Sequence, residues 1–314
     1  MMLSPHESTN VDLSVSIGSL RMRNPVTVAS GTFGSGRDYS DFIDLEHLGA
    51  LVTKGVSAVA WEGNSGRRVY ETASGMLNSI GLQNPGVEAF IKNDLAWLKD
   101  NAPTVPVIVN VSGHSVEQYV EVIERLEDQS QVSAYEINIS CPNVDAGGLA
   151  FGTNPGETAR ITTACRAATQ RPLIMKLSPN VTSIDTIACI CEDAGADAIS
   201  LINTLLGMAI DIHTQRFVFD RKVAGLSGPA IKPVALRMVN AVANTVTIPV
   251  IGIGGILTAD DAIEFMLAGA KAVAVGTGNF IDPQATVRCI EGIGAYCARH
   301  EIPRATDLIG AVKE

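Results

Sequence analysis

Ile248-Pro249-Val250-Ile251-Gly252-Ile253-Gly254-Gly255 is an apolar run with no polar face, and it ends in two glycines. Ala272-Val273-Ala274-Val275-Gly276-Thr277-Gly278 repeats the pattern after one amphipathic stretch. A short Val/Ile-rich strand that is apolar on both sides must be covered on both sides, which is the pattern of a parallel sheet flanked by helices. Six earlier runs have the same character: Pro25–Ser30, Ala50–Gly55, Val105–Gly113, Ala134–Ser140, Pro172–Ser178 and Ala198–Thr204. Between them lie stretches of helical periodicity at Val87–Asp100, Val116–Asp128, Glu157–Gln170, Ile184–Ala194, Ile231–Ala243 and Asp260–Ala268, with Asp282–His300 closing the series. Ser183 and Thr258 stand where helix N-caps are expected. Eight such units predict an α/β chain folded as a (β/α)8 TIM barrel. An open doubly wound sheet would have fewer strands and an early Gly-rich dinucleotide turn, and the turn after Pro25–Ser30 is not of that kind.

Ahead of the barrel, Val11–Ile17 and Leu20–Arg23 predict a β-hairpin turning at Gly18-Ser19, placed to cap the barrel's bottom. Two connections, Tyr70–Pro85 and Leu205–Gly228, are long for βα loops and are expected over the active site. No linker interrupts the alternation, so a single domain over residues 1–314 is expected.

The 314 residues are 46% hydrophobic and 18% charged, with 29 glycines and a net charge of −10. That balance fits a large globular α/β protein and argues against nucleic acid as a partner. Met1–Asp12 carries no apolar leader-like segment and no run is long enough to span a bilayer, so the expected location is cytoplasmic. The six cysteines match no zinc or iron–sulfur spacing, and the strand ends carry no carboxylate pair, so no metal is expected. Only Cys141 falls in a loop after a strand; the other five lie in helix-like segments.

In such a barrel the active site lies at the C-terminal strand ends. These read Ser30, Lys54-Gly55, Asn110, Asn138 with Cys141, Lys176, Asn203-Thr204, Gly254-Gly255 and Gly276-Thr277. Two of only eight lysines therefore stand at strand ends, where a partly dry ammonium calls for an anion. The glycine turns after strands seven and eight occupy the recurrent barrel phosphate site, where backbone N–H groups approach the ligand. A thiol at Cys141 is a candidate proton carrier, and the amides of Asn138 and Asn143 suit a polar planar ligand.

These segments together become recognisable. Ala29–Gly34, Thr53-Lys54-Gly55, Asn78–Asn84, Asn138–Asn143, Lys176–Pro179, Ile202-Asn203-Thr204, Gly225–Pro229 and the two glycine turns occur in order over nearly the whole chain. The sequence resembles the class 1 dihydroorotate dehydrogenases, and Asn78–Asn84, Asn203–Ile210 and Gly225–Pro233 look most like the class 1B catalytic subunit.

That resemblance implies one FMN per chain, held by Ser30, Lys54, Gly55, Asn110, Asn138, Lys176, Ile202, Gly228, Gly254, Gly255, Gly276 and Thr277. It implies dihydroorotate held by Lys54, Asn78, Ser79, Ile80, Gly81, Leu82, Asn138, Asn143, Asn203 and Thr204, with Cys141 as the catalytic base that takes the C5 proton. The C6 hydride would go to the flavin. Electrons would pass to NAD through a partner subunit carrying FAD and a 2Fe-2S cluster, in a heterotetramer built on a homodimer core. Val144–Leu149, with Gly147-Gly148, is expected to act as a lid. Two alternatives stand beside this reading: a class 1A-like enzyme that reduces fumarate without a partner, and a flavin-free phosphosugar isomerase or lyase on the same barrel.

Overall fold

The computed structural model describes residues 11–140 and 151–313. Eight parallel strands form the central sheet: β1 (Val26–Val28), β2 (Leu51–Val52), β3 (Val107–Val111), β4 (Val132–Asn138), β5 (Leu173–Lys176), β6 (Ala198–Leu201), β7 (Val250–Ile253) and β8 (Ala272–Val275). They pair in chain order from β2 to β8, and β8 pairs back onto β1. A parallel bridge between Thr27 and Ala50, with the Thr27 hydroxyl donating to the Ala50 carbonyl at 2.7 Å, joins β1 to β2 and closes the ring. Seven of the eight predicted apolar runs contain one strand, shorter than the run because the last residues leave the ladder to line the mouth; the eighth, Ala134–Ser140, is displaced, its strand running from Val132 to Asn138.

Helices Val116–Leu126, Pro155–Ala168, Ile184–Asp193, Lys232–Ala243, Ala259–Leu267 and Ala285–Arg299 cover the outside. The segment predicted as one helix from Val87 is α-helical at Val87–Ala89 and Ala96–Asn101, with a wider π-turn over Phe90–Leu95 between them. The β1–β2 connection carries only the 3-10 turns Arg37–Tyr39 and Leu45–His47. Thr258 caps its helix as predicted: its hydroxyl accepts from the Asp261 N–H while the Asp261 carboxylate accepts from the Thr258 N–H. Ser183 occupies an N-cap position, but its hydroxyl hydrogen-bonds to the Asp185 carboxylate, so it does not cap the helix.

The hairpin forms from Val15–Ile17 and Leu20–Met22, with Ile17 opposite Leu20. Val15, Ile17, Leu20 and Met22 pack with Val52, Ile108, Ala134 and Ile174, so the hairpin plugs the barrel from below. Burying Ile17 and Met22 completely stabilises by roughly 1.5–3 kcal/mol each. Above this apolar plug the interior turns polar: Thr27, Asn110, Glu136, Lys176 and Ser200 are all buried.

The two long connections meet in an antiparallel sheet over the mouth. Its strands run in the order Leu205–Met208, Val223–Ser227, Gly75–Asn78, Val69–Thr72. Gly225 pairs with Asn78, which fixes both loops against one another. Among the described residues no helix is long and apolar enough to cross a membrane.

Candidate active site

The floor of the mouth is one buried hydrogen-bond cluster. Lys176 ends β5 and its ammonium donates to the Ser30 hydroxyl at 2.9 Å, while lying 3.5 Å from Glu136 Oε1. The Asn110 amide donates to the same Oε1 at 2.7 Å, and the Ser200 hydroxyl donates to Glu136 Oε2 at 2.8 Å. Register explains the meeting: Asn110 pairs with Glu136 across β3 and β4, and Ser200 pairs with Lys176 across β6 and β5.

Two atoms of this floor are left open. Asn110 Oδ1 and Ser112 Oγ are the buried side-chain polar atoms, among the described residues, that find no hydrogen-bond partner. Both sit beneath Gly55, where a Cβ would come within 3.2 Å and 3.0 Å of them. A buried orphan acceptor costs about 1–3 kcal/mol unless a ligand satisfies it.

The other predicted residues surround this floor. Asn138 at the end of β4 is held by the Tyr119 hydroxyl, which donates to its carbonyl at 2.7 Å, and its Oδ1 accepts from Asn203 Nδ2 at 3.4 Å. The Asn78 amide donates to the Gly225 carbonyl at 3.3 Å, and Thr204 packs against Gly225. Ser79, Ile80 and Gly81 are pinned by Asn64, whose side chain donates to Ser79 and whose N–H donates to the Ile80 carbonyl. Leu82 reaches over Gly55.

Ile202 lies beside Gly254, and Gly255 lies against the first residues of helix Lys232–Ala243. Gly228 approaches Thr277, whose hydroxyl donates to Ser227 at 2.8 Å. Lys54 is half-buried and lines a cavity of about 420 Å³ with Gly31, Thr32, Asp38 and Tyr39. Burial lowers the Lys54 ammonium below its ordinary value, Arg68 adds repulsion, and Asp38 opposes them. Cys141, Asn143 and the expected lid Val144–Leu149 lie outside the described residues. His114 stacks on Trp61 with ring centroids 4.1 Å apart.

The sequence profile of the dihydroorotate dehydrogenases matches residues 12–296. The chain belongs to the dihydroorotate dehydrogenase family. It is 54% identical over 302 residues to a protein of Alkaliphilus oremlandii named dihydroorotate dehydrogenase B (NAD(+)), catalytic subunit; the match covers 96% of this chain and 99% of that one. A protein of the same name from Lachnoclostridium phytofermentans is 54% identical, with 96% and 100% covered. Another from Geotalea uraniireducens is 52% identical, with 96% and 98% covered.

The residues present fit the FMN that membership in this dihydroorotate dehydrogenase family implies. An isoalloxazine presents an imide N–H between two carbonyls, and the floor offers an open acceptor at Asn110 Oδ1 together with the Lys176 ammonium, both residues meeting at Glu136 Oε1. Gly228, Gly254 and Gly255 all hold positive φ, at 97°, 130° and 75°, and a Cβ at each would come within 2.8 Å of Gly75, Ala235 and Lys232 respectively, so these turns require glycine. The sequence reading missed Glu136, Ser200 and Asn64. For Glu136 the signal was present: in β4 it shares a face with Asn138, two residues on.

Proposed function

We propose that this chain oxidises (S)-dihydroorotate to orotate, in pyrimidine (UMP) biosynthesis, as the catalytic subunit of a class 1B enzyme. The observation that carries the reading is the buried cluster of Ser30, Asn110, Glu136 and Lys176 with its open acceptor under Gly55. The names of the relatives, each a catalytic subunit linked to NAD(+), support the 1B form. When bound, FMN supplies the acceptor for the C6 hydride and relays the electrons. The chain's residues do the rest. Lys54 binds the substrate carboxylate. Asn78, Asn138, Asn143, Asn203 and Thr204 hydrogen-bond the uncharged ring without adding charge. Cys141 takes the C5 proton, and Lys176 faces the charge that builds up below.

The chain acts as one domain in the cytoplasm, within a homodimer core joined to an electron-transfer subunit that carries FAD and a 2Fe-2S cluster. Anaerobic addition of dihydroorotate to the purified yellow protein tests the reading, with bleaching at the flavin band expected. A colourless protein that stays colourless with added FMN refutes it. The chain without a partner should reduce fumarate poorly; rapid fumarate reduction would move the assignment to the 1A form.

A further inference from the structure

Among the described residues Glu136 is the one buried carboxylate in the polar floor, 2% exposed, and the chemistry proposed above leaves it without a role. It receives three donors: Asn110 and Lys176 at Oε1 and Ser200 at Oε2. A carboxylate only accepts hydrogen bonds, whereas an amide can present either end. At 2.7 Å from Glu136 Oε1, Asn110 must turn its NH2 downward, and its oxygen is thereby committed to the upper side beneath Gly55. The same carboxylate lies 3.5 Å from the Lys176 ammonium and offsets its charge, and its backbone pairs with Ile174, two residues before Lys176 along β5.

We propose that Glu136 is a positioning residue that sets the hydrogen-bond polarity and the electrical field of the flavin floor. It makes Asn110 an obligate acceptor for the imide N–H of a bound isoalloxazine, and it tempers the positive field that Lys176 projects onto that ring. The inference rests on the flavin reading above. A neutral residue at 136 would hold Asn110 in either orientation and would leave the Lys176 charge unopposed. Reduced, anionic flavin would then be favoured over oxidised flavin.

The test measures dissociation constants of oxidised and reduced FMN from the flavin-stripped chain. In Glu136→Gln the ratio of the two should move by about tenfold towards the reduced form, the scale of removing one charge roughly 10 Å from the ring at an effective dielectric of about 20. For a two-electron couple that corresponds to a reduction potential raised by about 30 mV. Glu136→Asp keeps the charge and should keep the wild-type ratio, even where both affinities fall. Because Glu136→Gln leaves a buried ammonium unpaired and Lys176→Met leaves a buried carboxylate unpaired, the double variant Glu136→Gln/Lys176→Met, which strands neither charge, is measured as well. Relative to that double variant, the Glu136→Gln chain, with Lys176 alone, should favour reduced FMN by more than the wild type does, with both charges present. Equal changes in both affinities of Glu136→Gln, or none, would overturn the proposal and reduce Glu136 to a packing role. That result differs from failure of the underlying reading, in which the wild-type chain would bind no FMN at all.

Discussion

Replacing Gly276 by alanine separates ligand binding from folding, because the structure leaves room for the methyl. A Cβ there would meet Ala29 Cβ at 3.4 Å and Thr32 no closer than 3.9 Å, which is ordinary contact, and the backbone has no positive φ to strain. The fold should therefore be nearly indifferent, with a Tm within about 1 °C of wild type. If the phosphate of FMN rests on the Gly276-Thr277 backbone, the methyl takes space that the phosphate needs. Loss of one charge-assisted hydrogen bond, at about 1.5–3 kcal/mol, weakens FMN about ten- to a hundredfold. Gly255→Ala is the contrasting case. Its φ is +75°, and a Cβ would lie 2.7 Å from Lys232 Cβ and 2.8 Å from Lys232 N. Left-handed strain costs roughly 1–2 kcal/mol and overpacking roughly 1–3, so Tm should fall on the order of 5–10 °C. Fluorescence titration with FMN and thermal unfolding of the flavin-free chain read the two quantities separately. A Gly276→Ala chain that binds FMN like wild type refutes the phosphate placement. A Gly255→Ala chain with an unchanged Tm refutes the argument from strain.

Lys54 should make orotate binding pH-dependent. Burial holds its ammonium below the ordinary 10.5, so carboxylate affinity, full at lower pH, should fall as pH rises and before 10.5 is reached; a pH series of flavin-band titrations checks this, and Lys54→Met should flatten it. The same lowered value means the folded state pays for the buried charge at neutral pH and is relieved at alkaline pH. Cys141→Ser should bind FMN normally but oxidise dihydroorotate about 10²–10⁴-fold more slowly at neutral pH, and near-wild-type turnover would remove Cys141 as the base. Burial pushes the Cys165, Cys191 and Cys289 thiols up to about 12, so a thiol reagent at pH 8 should leave all three unmodified until guanidinium unfolds the chain; rapid labelling of any of them in the native protein would contradict their burial.

The barrel was legible because its signal is redundant. A strand such as Ala272–Val275, buried along its whole length, has no alternative but to be covered on both sides. Eight repeats of that pattern leave little choice of topology. Less was legible where the outcome depends on neighbours remote in sequence. The wider turn at Phe90–Leu95 leaves no mark in the hydrophobic period. Ser183 matches the cap composition as well as Thr258 does, and only the competing Asp185 carboxylate decides against it. The long connections were identifiable as loops, but that they would pair as Gly225 with Asn78 needed the register of both.

The same limit governs the site. Reading strand ends found Ser30, Asn110 and Lys176 because each lies within two residues of the C-terminal end of its strand, but it could not find the residue that binds them together. Glu136 sits inside β4, flanked by Tyr135 and Ile137, and a rule that looks only at termini passes over it. Alternation would have caught it: in Ala134-Tyr135-Glu136-Ile137-Asn138 the residues facing the barrel axis are Ala134, Glu136 and Asn138, and no carboxylate is placed there without partners. Three donors fill three of a carboxylate's roughly four lone-pair sites: Asn110 and Lys176 from the adjacent strands β3 and β5, and Ser200 from β6, one strand further on. An inward-facing acid within a barrel strand therefore predicts donors on both adjacent strands, and the orientation it imposes on an amide among them marks where the ligand's own donor must come.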